Sequence, residues 1–340
     1  MTALAPLGVA PLAGVGQQPG QQAAALPVYD WHKLHRAKWH SDPDIAKNLG
    51  ATMAHPARFA RDLIRAIYAD ARAKGFAQPG CLAFDPFCGT GLGGLDAMAL
   101  GLHWHGIEIE YHHWATAVAN LANWSERYSQ AVAGWGTAQA IHGDSRDAAA
   151  LLPAEAMGNI GLVVTSPPYG DLIRQSSDGP GIRHDLARAQ AGSKSWRKQV
   201  SDQTYGNADG QLGALPVGSH SECRPGTFWG EAAAVVRACH SVMAPNGVAY
   251  WNVRDYVRAG QVVPLGQQWQ AMCQANGFAP LYVVRSWLVT RKGAQYRVTG
   301  GTDDLTVAYK SQPRRVSEKK GAPPIDWEWV IVMRRLPGAV

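Results

Sequence analysis

The sequence predicts an α/β fold with a mostly parallel sheet. Short apolar runs of strand type alternate along the chain with longer segments whose apolar residues recur at helical spacing. A glycine-rich turn follows the first strand of this alternation, and acidic residues follow its neighbours. Strands that alternate with helices form parallel sheets with right-handed crossovers, and such sheets bind their ligands beyond the carboxyl ends of the strands.

The elements before residue 165 carry the clearest pattern. A helix from Pro56 to Lys74 is indicated by the apolar spacing of its side chains and by Gly75 as a stop signal. Further helices are expected from the glycine turn to about residue 100 and around residues 114–125. Apolar runs predict strands at residues 81–84, 103–109, 140–142 and 160–164.

The second half of the chain begins with an interruption of this rhythm. Residues 171–226 are rich in Gly, Ser, Gln and Arg, and a loop of that length is typical of a functional segment. Regular structure resumes with helices at residues 228–242 and 266–276. Strands are expected at residues 247–253, 282–288, 305–309 and 327–333.

Composition limits the class of protein. The 340 residues suit one large domain, predicted over residues 29–340, after an Ala-, Gly-, Pro- and Gln-rich tail at 1–28 that we expect to be disordered. A basic stretch around Lys33 is interpreted as a solvated loop, with a nucleic-acid or substrate contact as the alternative. The net charge of +6 permits a polyanionic partner. No apolar run of membrane-spanning length and no secretory signal occur. Five cysteines without a C-x-x-C pair indicate reduced thiols in a cytoplasmic protein and no structural metal.

The turn after the first of these strands reads Asp85-Pro-Phe-Cys-Gly-Thr-Gly91. Its glycines, together with Gly94, match a dinucleotide-binding pattern, which leaves a nicotinamide oxidoreductase as one interpretation. Glu108, 17 residues beyond Gly91, ends the next strand, where a carboxylate can accept both hydroxyls of a ribose. Asp144 ends the third strand and could reach an adenine amino group. Three acidic strand ends fit a nucleoside without a pyrophosphate.

The most informative motif is Thr165-Ser-Pro-Pro-Tyr-Gly170, after the fourth of these strands. The two prolines stiffen a turn that cannot donate backbone hydrogen bonds there. Carbonyl oxygens, the Ser166 hydroxyl and the Tyr169 ring remain, which is what an exocyclic amine on a flat base requires.

Together these motifs resemble those of the S-adenosylmethionine-dependent DNA amino-methyltransferases of the Ser-Pro-Pro-Tyr type, including phage and environmental DNA methylases. The resemblance spans roughly residues 54–335. It implies a Rossmann-like class I methyltransferase fold, with a seven-stranded sheet and helices on both faces. It also implies catalytic roles for Ser166, Pro167, Pro168 and Tyr169. The cofactor S-adenosyl-L-methionine would be bound by Asp85, Phe87, Cys88, Gly89, Thr90, Gly91, Glu108, Ile109, Asp144, Ser145 and Ser166.

Within that family, Ser-Pro-Pro-Tyr is most associated with the N4 amine of cytosine. Many such enzymes carry the catalytic motif before the glycine turn, whereas here it follows, so N6 of adenine stays open, as does an RNA amino-methyltransferase. The target base in double-stranded DNA would be flipped out of the helix. Methylation at C5 of cytosine is disfavoured because no Pro-Cys dipeptide is present. Both restriction-modification and orphan enzymes of a bacterial or phage-infected cell fit this pattern, and the sequence does not decide the target sequence or the choice between monomer and homodimer.

Basic residues concentrate in two regions, 171–226 and 286–325, which we interpret as candidate DNA-recognition segments. A DNA-binding module without catalytic activity would keep these segments but would not need Glu108, Asp144 and Ser166. The candidate phosphate or base contacts are Arg174, Arg183, Lys194, Arg197, Lys198, Arg291, Lys292, Arg314 and Arg315.

Overall fold

The computed structural model describes residues 26–34, 61–129, 134–168, 208–258, 260–292, 295–297, 318, 321 and 323–338. The elements, in chain order, are β1 (Val28–Leu34), α1 (Arg61–Ala73), β2 (Leu82–Asp85), α2 (Leu92–Ala99), β3 (His103–Glu108), α3 (Tyr111–Trp124), β4 (Ala138–His142), α4 (Ala148–Leu151), β5 (Ile160–Thr165), α5 (Phe228–Val242), β6 (Met243–Val253), β7 (Tyr256–Arg258), β8 (Gln261–Val263), α6 (Leu265–Ala275), β9 (Phe278–Lys292), β10 (Gln295–Arg297) and β11 (Trp327–Arg335).

Most of the predicted elements are confirmed. The helix predicted over residues 228–242 coincides with α5, because the Thr227 hydroxyl caps its start by accepting from the Gly230 N–H at 3.1 Å. On α1 the predicted apolar positions, among them Leu63, Ile64 and Ile67, are buried. The start of the predicted first helix, at residues 56–60, and the strand predicted at 305–309 lie outside the described residues.

The strands form one sheet in the order β1-β9-β11-β6-β5-β2-β3-β4, with β10 paired to β9. From β4 to β6 every neighbouring pair is parallel, and β11 lies antiparallel between β6 and β9. The seven strands from β4 to β9 have the order of the class I methyltransferase fold, so the predicted Rossmann-like fold is confirmed. The expected number of strands is wrong: within the described ranges, β1 and β10 extend the sheet to nine strands, and β7 and β8 form a separate hairpin.

The additional edge strand corrects the interpretation of the N-terminal region. Val28, placed in the tail by its composition, begins β1, and the supposed loop around Lys33 includes the rest of that strand. β1 pairs in parallel with β9, with Val28 opposite Val283. A strand whose partner lies about 255 residues further along the chain has no turn or hairpin nearby to indicate its pairing.

The sheet separates two apolar layers. Side chains of α1, α2 and α3 cover one face of the sheet, where they pack against alternate residues of β5 such as Leu162 and Val164. The helices α5 and α6 cover the other face, where Val163 points and where Trp251 contacts Trp269 at 5.6 Å between ring centroids. Neighbouring residues of one strand thus face opposite layers, as expected for a sheet buried on both sides.

The β3 strand passes directly beneath the glycine turn. A Cβ at Gly106 would collide with the Trp104 ring and would lie 2.6 Å from the Cys88 Cβ. Because both neighbours are buried, neither has space to move away. Glycine at this position therefore lets the turn pack onto the strand.

We expect Gly106→Ala to lower the free energy of unfolding by about 1–3 kcal/mol, the usual cost of overpacking a core. Gly93→Ala is the matched control, since its Cβ would have no neighbour nearer than 3.6 Å and alanine favours the helix. Urea unfolding followed by tryptophan fluorescence measures both variants. Equal stability of the two variants would contradict this view of the turn.

Candidate active site

The carboxyl ends of β2, β3, β4 and β5 surround an open pocket, with about 970 Å³ of empty space when the part open to solvent is included. The walls come from the glycine turn, the acidic strand ends, the double-proline turn and a segment near residue 210. The lining residues are Asp85, Pro86, Phe87, Cys88, Gly89, Thr90, Leu92, Gly93, Ile107, Glu108, Ile109, Glu110, His113, Asp144, Ser145, Ser166, Pro167, Pro168, Gly210, Gln211, Leu212 and Val235.

Asp85 forms the floor of the pocket at the end of β2 and is 4% exposed. Its Oδ1 accepts a hydrogen bond from the Thr165 hydroxyl at 2.6 Å and another from the Phe87 N–H at 3.0 Å. Burial raises the pKa of this carboxyl to about 7, although both donors favour the charged form. The hydroxyl of Thr165 thus connects the ends of β2 and β5, a link that the sequence pattern did not indicate.

The turn from Pro86 to Gly91 is held by hydrogen bonds to β3 and α3. The Gly89 N–H donates to Glu108 Oε2 at 2.8 Å, and Gly89 has a φ of 53°, in the left-handed region that glycine adopts readily. From α3, the Asn120 side chain donates to the Thr90 carbonyl at 2.9 Å. Burial raises the pKa of the Cys88 thiol well above its usual range, so it stays protonated and is unsuited to act as a nucleophile.

Glu108 ends β3 and is 8% exposed. Besides the bond from Gly89, its Oε1 accepts from the Glu110 N–H at 3.0 Å. Burial raises the pKa of the Glu108 carboxyl to about 7, and nearby Glu110 and Asp85 add to the rise. Each oxygen accepts one bond from the protein and keeps room for another, so the carboxylate can still accept two hydroxyl groups.

Asp144 lines the pocket after β4, but its carboxylate is engaged by Arg146. The Arg146 Nε lies 2.9 Å from both Asp144 oxygens, and the Nη2 group and the backbone N–H of Arg146 also donate to them. The neighbouring Ser145 hydroxyl donates to the Pro86 carbonyl and ties β4 to the glycine turn.

Of the predicted catalytic residues, Ser166, Pro167 and Pro168 line the same pocket as the glycine turn. Tyr169 lies outside the described residues. The structure thus brings together two motifs that lie about 75 residues apart in the sequence.

Most of the predicted cofactor-binding residues line this pocket. The exception is Gly91, which caps α2 with a φ of 76° and packs against Ala117, where a Cβ would lie 3.1 Å from the alanine Cβ. Of the predicted DNA contacts, Arg291 and Lys292 lie in β9, where the structure describes their backbone and not their side chains. The remaining candidates are Arg174, Arg183, Lys194, Arg197, Lys198, Arg314 and Arg315, all outside the described residues.

Other lining residues were missing from the sequence prediction. Glu110 and His113 follow β3 and are 5% and 2% exposed, and their proximity to Glu108 in the sequence could have pointed to them. Gly210, Gln211 and Leu212 belong to the predicted insertion at 171–226, yet Leu212 packs into the core beside α5. No local pattern placed this segment at the pocket, because the contacts that hold it there, from Glu110 and Arg146, are distant in the sequence.

The lining is strongly acidic. Four carboxylates lie in it, and no lysine or arginine lines it among the residues that the structure describes. Also within the described part of the chain, no group of three potential metal-binding side chains is placed to hold an ion, and no helix is long and apolar enough to cross a membrane.

No protein-family model matches the sequence, and no curated protein matches it either. Among solved structures, TrmN from Thermus thermophilus is 12% identical with a TM-score of 0.39, covering 84% of this chain and 52% of TrmN, about half of its length. Magnesium protoporphyrin IX methyltransferase from Synechocystis PCC 6803, solved with bound S-adenosylmethionine, is 10% identical with a TM-score of 0.40, covering 86% of this chain and 92% of that one. Precorrin-6y C5,15-methyltransferase from Geobacter metallireducens is 10% identical with a TM-score of 0.39, covering 81% and 88%. Similarities of this size identify neither a family nor a substrate for this chain.

The buried carboxyl of Asp85 predicts a pH-dependent stability. A pKa raised to about 7 means that the neutral carboxyl stabilises the free protein at low pH, and that this contribution is lost as the pH rises through about 7. Asp85→Asn keeps one oxygen to accept from Thr165 and Phe87 and removes the charge. We expect it to match the wild type at pH 4 and to be more stable by about 1–3 kcal/mol at pH 8.

Chemical unfolding at both pH values measures this difference. Glu108→Gln serves as the contrast, because Glu108 uses both oxygens as acceptors and an amide would turn one –NH2 group toward a backbone N–H. If the wild type were as stable as Asp85→Asn at pH 8, burial would not destabilise the charged form of this carboxyl.

Proposed function

We propose that this protein transfers a methyl group from S-adenosyl-L-methionine to an exocyclic amine of a base in DNA, with N4 of cytosine as the target. One observation carries the proposal: the double-proline turn and the acidic, glycine-lined ends of β2 and β3 share one pocket. A pocket that combines a nucleoside site with a set of amine acceptors suits a transfer between the two.

The charge of the pocket favours this cofactor over a dinucleotide. S-adenosylmethionine carries a sulfonium, an ammonium and a carboxylate group, so its net charge is positive, whereas a pyrophosphate is an anion. Asp85 and Glu108 are buried and have pKa values raised to about 7, so a cation beside them would relieve their desolvation. A pyrophosphate would meet four carboxylates and no lysine or arginine among the described lining residues. The nicotinamide oxidoreductase interpretation is therefore disfavoured.

The residues present fit the remaining parts of the cofactor in different degrees. Glu108 has acceptor capacity for two ribose hydroxyls, and the glycine turn lets backbone approach the ligand closely. Asp144, the proposed contact of the adenine amine, can take that role only if one of its bonds from Arg146 is exchanged. Phe87, Ile109 and Ser145 line the pocket beside it and are proposed to contact the cofactor as well.

When bound, S-adenosylmethionine would supply an electrophilic methyl group: an N–CH3 bond to the amine would form as the S–CH3 bond breaks, with the thioether S-adenosylhomocysteine as leaving group and the amine proton passing to solvent. The protein supplies acceptors and orientation. The Ser166 hydroxyl and the Pro167 carbonyl accept hydrogen bonds from the amine and direct its lone pair, and Tyr169 stacks on the base. Two prolines in succession keep this turn rigid and remove two competing N–H donors.

DNA is the proposed partner because the Ser-Pro-Pro-Tyr motif resembles that of DNA amino-methyltransferases. A base paired in a duplex would be flipped out to bring its amine into the pocket. The arginines and lysines of the two basic regions, 171–226 and 286–325, are proposed to contact phosphates, so binding should weaken steeply with salt. Ser-Pro-Pro-Tyr favours cytosine, and adenine N6 is the other outcome that the next experiment distinguishes.

Incubation with labelled S-adenosylmethionine and unmethylated duplex DNA should label the DNA. Nucleoside mass analysis after digestion should then find N4-methylcytosine. N6-methyladenine would correct the target base and keep the proposed chemistry, and label in RNA alone would replace DNA as substrate. C5-methylcytosine, or no transfer to any of these although the cofactor binds, would refute the proposed reaction.

Ser166→Ala and Tyr169→Ala should separate catalysis from cofactor binding. We expect each to lower kcat about 10²-fold or more, because each removes an interaction with the target amine or base. Calorimetry should show nearly unchanged affinity for S-adenosylmethionine in Tyr169→Ala and only a small loss in Ser166→Ala, since Ser166 is also a proposed cofactor contact. Glu108→Gln should do the opposite and weaken cofactor binding, since the ribose contact is lost. Wild-type turnover in either Ser166→Ala or Tyr169→Ala would overturn the assigned roles.

A further inference from the structure

Two segments that flank residues 169–207 in the sequence line the pocket. Pro168, the last described residue of the double-proline turn, belongs to one of them, and Gly210, shortly after the described residue Ala208, belongs to the other. Residues 210–212 form one wall, which we call the return wall.

Glu110 holds the start of the return wall. Its Oε1 accepts a hydrogen bond from the Ala208 N–H at 3.0 Å, and the residue is 5% exposed. Its backbone belongs to the rigid junction of β3 and α3, where its carbonyl accepts from the N–H groups of His113 and Trp114. The wall is thus fastened to the element that also carries Glu108.

Arg146 holds the wall from the other side. Its guanidinium donates to the Gly210 carbonyl at 3.2 Å, to the Asp144 carboxylate and to Glu231 in the first turn of α5. Glu231 in turn accepts from the Gly226 N–H at 2.8 Å. One side chain therefore joins the end of β4, the start of α5 and the return wall, with charge-assisted bonds to both carboxylates.

The backbone of the wall is shaped for this contact. Gly210 has a φ of 83°, in the left-handed region, and a Cβ on it would collide with the Arg146 guanidinium. The guanidinium itself does not line the pocket, so it fixes the position of Asp144 and of the wall without placing a positive charge against a cationic ligand.

We propose that Arg146 and Glu110 are positioning residues that hold the return wall against the cofactor. The contact between the wall and the cofactor rests on the proposed function, whereas the anchoring of the wall does not. A wall that is fixed before the ligand arrives does not have to be ordered at the cost of binding free energy.

The test compares Arg146→Ala and Glu110→Ala with the wild-type full-length chain. Glu110→Gln should largely restore wild-type behaviour, because its amide oxygen can still accept from Ala208. Arg237→Ala is the control for loss of a positive charge, because Arg237 lies on α5 and donates to the Asn276 side chain at the end of α6, and within the described part of the chain it makes no hydrogen bond to residues 208–212. Hydrogen exchange of peptides covering residues 208–214, without any ligand, reports whether the wall is loosened.

We expect faster exchange of the return wall in the two alanine variants and not in Glu110→Gln or Arg237→Ala. The dissociation constant for S-adenosylmethionine, measured by calorimetry, should rise about tenfold. At saturating cofactor and DNA, kcat should change little, so that the loss appears in KM.

The outcomes separate the claims. Unchanged exchange in both alanine variants would overturn the anchoring, and faster exchange with wild-type affinity for S-adenosylmethionine would overturn the positioning role toward the cofactor. A wild-type chain that binds no S-adenosylmethionine would overturn the proposed function and leave the exchange result as the test of the anchors. If Arg146→Ala does not fold, Glu110→Ala and Glu110→Gln decide between these outcomes.

Discussion

Burial of carboxylates without a cation is the constraint on which the site depends. Parallel strands β2 and β3 end side by side, so Asp85 and Glu108 are brought into one pocket away from solvent. The protein offers each of them two hydrogen-bond donors, which is too little to offset the desolvation, and their pKa values rise to about 7. The pocket is therefore electrostatically incomplete in the free protein and suited to a positively charged ligand.

The surrounding structure preserves this incompleteness. Glu108 accepts a hydrogen bond from a neutral backbone N–H of the glycine turn. A lysine or arginine in that place would neutralise the charge of Glu108. The guanidinium of Arg146 does not line the pocket and pairs with Asp144 and Glu231. Gly106 lets the turn pack onto β3, so the donors are held by the core and not by the pocket surface. Core packing and ligand charge are in this way parts of one arrangement.

The sequence was a good guide wherever contacts are local. Helix α5, with its Thr227 cap, and the strand ends at Asp85 and Glu108 follow from spacing and from residues close to them. It was a poor guide to β1, which pairs with β9 far along the chain, and to the return wall at 210–212 inside a segment of loop composition. The Asp144 side chain was expected to be available to a ligand, and only the fold shows that Arg146 already engages it.

By itself the sequence determined the chemistry of the candidate site: which strand ends are acidic, where the backbone can approach a ligand, and that the Ser166 to Pro168 turn has acceptors without N–H donors at its prolines. The tertiary structure decided that these parts share one pocket, that Thr165 bridges β5 to Asp85, and that Glu110 and Arg146 hold the return wall. The physical reason is the separation along the chain over which each effect acts. Turn and capping preferences act over a few residues, whereas burial, and with it the charge state of Asp85 and Glu108, arises only when distant strands pack together.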